Sequence, residues 1–407
     1  MTEIMDACRL QKKRLIAFAK ELISVPTINP PGENYEEAVE LLDKRCRELG
    51  LKTRKYKVPN SELEKHGLNP KYPRVSLVAR WDTGSKKTLH FHGHYDVVPV
   101  TDNWKRSPFK PELKGKRLYG RGSADMKGMV ATELYAVSVA KALGIKPKVN
   151  IELSFCPDEE TGGRLGMGYL AKKGILSPDY VIDEGPGRLV ASHGNKGMLS
   201  YEIEVLGKSS HAAYSFKGIN AFEYAVELAA ELKKLKKKVE RRRTKHDMEN
   251  PKERRPSFVM GGKLSGGIKY NTVPGKVVFS IDRRVIPDED FDKAQEEIQS
   301  VIRKFQAKNK DIKIKTRQIT ADKPVLLKTD SVLCSTMSRC IKEVYGKPAR
   351  FRILSGGTDM RYLVKSGASG LGYGPIGGNF HADDEWVDVE SMVKTCAVYA
   401  SLISRLS

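Results

Sequence analysis

The 407 residues carry 72 Lys and Arg against 50 Asp and Glu, a formal charge of +22, with 40 % hydrophobic and 30 % charged residues. That length suits two or three domains with ample core, and the composition excludes wholesale disorder. No apolar run approaches the ~18–20 residues that cross a bilayer, and Lys12, Lys13, Arg14 and Lys20 interrupt any leader-like stretch, so a soluble, cytoplasmic chain with no membrane partner is expected.

The opening residues, about Glu3 to Ile23, place Leu15, Phe18, Leu22 and Ile23 at helical spacing ahead of the turn-rich TINPPGEN, and a second helix is expected from about Tyr35 to Leu49. Strand-like runs follow at Val75–Ala79, Thr88–Phe91 and Asn150–Phe155, with a helix over about Gly128–Leu143. Alternation of this kind predicts an α/β layer on a mixed, largely parallel central sheet flanked by helices. From Met198 the order becomes strand (to Val205), helix (Ala221–Lys238), two strands (Ser257–Lys263, Lys276–Asp282), helix (Glu289–Lys308) and strand (Ile312–Thr316). That order matches a ferredoxin-like α+β unit. The economical reading is an insert at 194–320 within a domain formed by 1–193 and 321–407, where a helix around Val332–Val344 resumes the α/β pattern.

The cysteines at 8, 46, 156, 334, 340 and 396 form no CxxC pair, which favours reduced thiols over a disulfide framework or a thiolate metal site. Lys233–Arg255 holds 12 basic and 4 acidic residues. Without interleaved aromatics it reads as a solvated helix end and loop, with nucleic-acid or other anion binding by a non-catalytic protein as the remote alternative.

Five segments place acids and histidines just after strands: HFHGHYDVVP, GRGSADMKG, SFCPDEETGG, YVIDEGP and GGNFHADDE. Ligands of open α/β sheets bind beyond the carboxyl ends of strands, so these loops can converge. Their His94, Asp96, Asp125, Glu159, Glu160, Asp183, Glu184 and His381 could not stay ionised together without cations. Imidazole with carboxylate, and no thiolate, suits zinc, cobalt or manganese, and two divalent ions would balance several carboxylates. Taken singly, each has a plain structural role: Asp125 as a helix cap, Glu159 and Glu160 as turn residues, His90 and His92 as packed side chains. Asp96, two residues after His94, is placed to orient that imidazole.

In this order, the segments resemble the di-zinc peptidase and deacylase family of acetylornithine deacetylase, succinyl-diaminopimelate desuccinylase, aminoacylase and carboxypeptidase G. The match runs from ELISVPTINPPGEN to NFHADDEWV, and GHYDVVP, LYGRGSADMKG and DEETGG are its most specific pieces. The resemblance implies two divalent ions, Zn2+ with Co2+ or Mn2+ as alternatives, and a hydrolase of N-acyl amino acids or, alternatively, a carboxypeptidase or dipeptidase. Carried over by motif, His94 and His381 each ligate one metal, Asp125 bridges, Glu160 pairs with His381, and Glu159 is the general base. The fifth ligand is Glu184, as aminoacylase-like members imply, or Asp183. In the insert, which the resemblance makes a lid and homodimerisation domain, His211 of GKSSHAA stabilises the oxyanion in the partner's site. Asn271, Arg284, Gly357, Thr358 and Arg361 match positions that hold substrate.

Overall fold

The computed structural model describes residues 2–407, which divide into two compact units. The first comprises residues up to His193, then Leu327–Phe351 and Thr358–Ser407; the second comprises Gly194–Leu326 and Arg352–Gly357. The second unit thus extends past the expected boundary at 320, because its last strand continues to Asp322. It also takes up Arg352–Gly357, where Ile353 donates its N–H to Asp247 and Arg352 pairs with the Asp247 carboxylate.

In the first unit the sheet runs Lys52–Lys57, Val75–Trp81, Asn150–Cys156, Thr88–His94, Tyr180–Asp183, Ser369–Gly372, Val190–Asn195. Neighbours are parallel from Asn150–Cys156 through Ser369–Gly372 and antiparallel at both flanks, which makes the sheet mixed. Thr88–His94 is buried along its whole length, as a central parallel strand covered on both faces must be. Helix Thr2–Ser24 buries Cys8, Leu15, Phe18, Ala19, Leu22 and Ile23, a 3.6-residue stripe. Helix Lys127–Ala142 is buried nearly all round, and its Lys127 ammonium is satisfied by the Val25 carbonyl at 2.6 Å. The C-terminal helix Val389–Arg405 starts at an N-cap in which Asp388 accepts from Ser391 N–H at 2.7 Å.

A small four-stranded sheet, Gly377–Gly378, Trp386–Asp388, Arg117–Tyr119, Glu112–Lys114, has local importance. Trp386 pairs with Tyr119, so the loop carrying His381 and the loop leading to Asp125 leave the same ladder side by side.

The second unit orders its antiparallel strands Ser257–Gly266, Lys276–Val285, Gly197–Leu206, Lys313–Asp322, with helices Ala221–Val239 and Phe291–Lys308 packed into one core. This is the strand order of a split β-α-β unit. Part of the basic stretch is spent inside it: Arg242 pairs with Glu289 and Glu297, and Arg254 donates to the His246 and Lys245 carbonyls. No helix is long and apolar enough to cross a membrane among the described residues.

Candidate metal centre

Three adjacent parallel strands end at one edge of the first unit's sheet, and each delivers a donor there. His94 is the last residue of its strand, Glu159 and Glu160 follow Cys156, and Glu184 follows Asp183. The small sheet adds Asp125 and His381. His94 Nε2 lies 3.0 Å from Asp125 Oδ1, while His381 Nε2 lies 3.2 Å from Asp125 Oδ2 and 3.0 Å from Glu160 Oε2. Asp125 therefore stands between the two imidazoles. It caps no helix: Met126 occupies the cap position, and the Asp125–Met126 peptide is cis.

The donors converge further. Ligand atoms of His94, Asp125 and Glu160 all lie within 4.8 Å of one another, as do those of His94, Glu159 and Glu184. Asp183 spends both oxygens on backbone, accepting from Glu184 N–H at 2.7 Å and Met360 N–H at 2.6 Å. Glu184 is the residue of that pair that faces the other donors. Asp96 sits behind His94, its carbonyl 3.0 Å and its carboxylate 3.4 Å from Nδ1. Its carboxylate also accepts from Asn29 at 2.8 Å and from the N–H groups of Glu159 and Glu160 at 3.3 Å, which ties the acidic turn to the His94 strand.

The protonation pattern shows what such a cluster lacks. Burial works against a charged His94, yet the Asp125 and Asp96 carboxylates outweigh it and hold its pKa well above the usual value. Bonds to Asp125 and Glu160 raise His381 to about 10. Burial, then the charge of Asp359, pushes the Glu159 carboxyl well up, and burial, then Asp125, does the same to Glu184. Protons here do the charge balancing that a cation does better. Two imidazoles and four carboxyl groups converging without a thiolate fit hard or borderline divalent ions.

Several residues that the motif reading passed over hold this geometry. Glu385 accepts from the N–H groups of Gly122 (2.9 Å), Ala124 (2.8 Å) and Asp125 (3.0 Å), and from the buried Arg121 at 2.8 Å. Both oxygens of Asp158 accept from the single Nε–H of buried Arg74, at 3.0 and 2.9 Å, and Asn29 and Tyr35 also donate to that carboxylate. Asp359 lies 3.5 Å from His92 Nε2 and from the Arg361 guanidinium. A Cβ on Gly163 would sit 1.9 Å from Asp359 Oδ1, and Gly163 has φ +65°, so only glycine fits there. The available signal was proximity: these acids sit inside HADDE, PDEE and GGTDMR, beside residues already singled out. His90 and His92 are packed residues, bridged by the Ser154 hydroxyl at 2.8 and 2.9 Å.

The expected substrate residues fall in both units. Thr358 and Arg361 belong to the first, where Arg361 donates to the Thr358 carbonyl at 2.7 Å and the Gly162 carbonyl at 2.8 Å, buttressing the acidic turn. Gly357, His211, Asn271 and Arg284 belong to the second. There exposed His211 pairs across a short ladder with Thr272, the residue after Asn271, and accepts from Ala213 N–H at 3.1 Å; Arg284 pairs with Asp282 at 3.0 Å.

Residues 90–405 match the model of peptidase family M20/M25/M40. The chain belongs to that family. It is 27 % identical to an uncharacterized metallohydrolase of Methanococcus maripaludis, over 95 % of this chain and 98 % of that protein. It is 26 % identical to aminoacylase-1 of Mus musculus, over 96 % and 95 %. Among solved structures, the M20 metallo-carboxypeptidase Sso-CP2 of Sulfolobus solfataricus superimposes with a TM-score of 0.75 at 22 % identity, covering 96 % of this chain and 98 % of that one. The M20 chain is accordingly a metal-dependent hydrolase of amide bonds, built on the mixed α/β fold described above.

Proposed function

We propose that this M20 hydrolase releases amino acids from small N-acyl amino acids in the cytoplasm, with two divalent ions, zinc in the first instance, held by His94, Asp125, Glu160, Glu184 and His381. The observation that carries the reading is a carboxyl, Glu159, set among the donors and additional to that ligand set. Bound divalent ions lower the pKa of water towards about 7 and polarise a carbonyl. Glu159 takes the attacking water's proton and returns it to the leaving amine. Asp96 keeps the His94 ring in its tautomer and orientation through the contacts at Nδ1. His211 of the second unit donates to the tetrahedral oxyanion in the partner's site. Asn271, Arg284, Gly357, Thr358 and Arg361 are assigned to substrate binding, with Arg284 or Arg361 as the clamp on its carboxylate.

Homodimerisation through the second unit is supported by apolar side chains there that no other part of the chain covers: Phe216 is 80 %, Ile268 89 % and Tyr270 101 % exposed, and Phe222 and Val226 stand on the outer side of helix Ala221–Val239. His211→Ala is expected to cost ~10²–10³ in kcat with KM little changed, as loss of one oxyanion donor does. An unchanged kcat would remove His211 from the mechanism.

The deciding experiment is metal analysis with a hydrolysis panel of N-acetylornithine, N-acetylmethionine, N-succinyl-diaminopimelate and dipeptides, each with and without EDTA. EDTA-sensitive release of an amino acid from an N-acyl substrate, with about two metals per chain, is the expected result. Turnover of dipeptides alone would replace the deacylase reading with a peptidase.

A further inference from the structure

The two ends of the chain meet inside the first unit. Cys8 lies on helix Thr2–Ser24 and Cys396 on helix Val389–Arg405, each 2 % exposed, with sulfurs 3.5 Å apart and a sequence separation of 388. All six cysteines are free thiols, and none of the other four bonds to a second thiol among the described residues. A disulfide needs the sulfurs about 1.5 Å closer, at ~2.05 Å.

We infer that Cys8 and Cys396 are a site of reversible covalent modification, a disulfide that staples the first helix to the last. The inference is independent of the hydrolase reading. A link between residues 8 and 396 closes a loop that runs through both units. In the chain-entropy account, that is the placement that most restricts the unfolded ensemble. Its chemistry needs an external disulfide as oxidant. One protein thiolate attacks the reagent's S–S bond, forming a mixed disulfide and releasing one reagent thiol. The second protein thiolate then displaces the other, so two electrons and two protons pass from the cysteines to the reagent.

Timing follows from burial. The Cys8 neighbour, then burial, pushes the Cys396 thiol well up, and both sulfurs are shielded from solvent in the docked state. Oxidation therefore belongs to the stage at which the C-terminal helix docks, and the closed bond resists reduction until the helix opens.

The test is to refold the full chain in mixtures of oxidised and reduced glutathione, quench with acid, and alkylate in denaturant. Oxidised protein is expected to take up four alkyl groups instead of six, with a cross-linked peptide pair spanning Cys8 and Cys396. Its Tm should lie several degrees above the reduced form, and this gain should vanish in Cys8→Ser and in Cys396→Ser. Should either serine variant misfold, Cys8→Ala keeps the comparison. Six alkylated thiols at every redox ratio, a different pairing, or a cross-link without a Tm gain would each overturn the inference. Metal content and turnover play no part in the readout, so failure here leaves the hydrolase reading untouched.

Discussion

Glu159→Gln is expected to lower kcat by at least ~10²–10⁴, the usual contribution of a positioned general acid-base, while the metal content stays near that of the unmodified protein. The side chain lies among the ligand atoms of His94 and Glu184, yet its backbone N–H is anchored by Asp96, so the turn keeps its shape when the carboxylate becomes an amide. Burial and the nearby Asp359 push its carboxyl well up, the direction that suits a group that must take a proton and give it back. Bound cations act in the opposite sense and bring it towards the operating pH. Metal analysis and steady-state kinetics on the same preparation decide the matter. If the variant loses metal and melts earlier in proportion, Glu159 is a ligand or a structural residue, and the proton must travel by another group.

Glu385→Ala should be the most damaging single change to stability near the site, costing about 3–5 kcal/mol, as removal of one partner from a buried ion pair does. Arg121 and Glu385 are both almost fully enclosed, at 1 % exposure each, so the substitution strands a guanidinium in the interior. It also frees three N–H groups of the Gly122–Asp125 loop, each of which loses its acceptor. Because that loop ends in Asp125, weaker metal retention should accompany the loss, and chelation should bring out the full defect. Glu385→Gln keeps an acceptor for the loop and should fall between the two. Urea unfolding of the metal-free and metal-loaded forms measures both effects. A cost below about 1 kcal/mol, the range of exposed pairs, would mean that Arg121 is rescued by the Ala382 carbonyl, to which it already donates at 3.2 Å.

Two of the elements expected from the residue pattern show clean periodicity. Helix Thr2–Ser24 has its apolar stripe on one face, and Gly197–Leu206 alternates strictly between buried and half-buried positions. The C-terminal helix, buried on every side, was not among the expected elements. Lys52–Lys57 was missed as well: as an edge strand of Lys, Thr, Arg and Tyr it buries no residue fully, so burial leaves no imprint on its sequence. The second unit is not a single run of sequence. Arg352–Gly357 joins it through contacts to Asp247, more than a hundred positions away.

The candidate centre divides along the same line. Residue chemistry and motif order were enough, from the sequence by itself, to nominate His94, Asp125, Glu159, Glu160, Glu184 and His381 and to name a divalent metal as their reason for coexisting. Donor type is a property of the side chain, and it survives in one dimension. Tertiary structure alone decided which of Asp183 and Glu184 faces the other donors, because the answer depends on whether Met360, far along the chain, offers its N–H to Asp183. Only the fold revealed Glu385 behind Asp125, and only the fold brought Cys8 against Cys396. Supporting bonds and thiol pairs are relations between distant positions, and they exist only when the sheet and its helices have closed the distance.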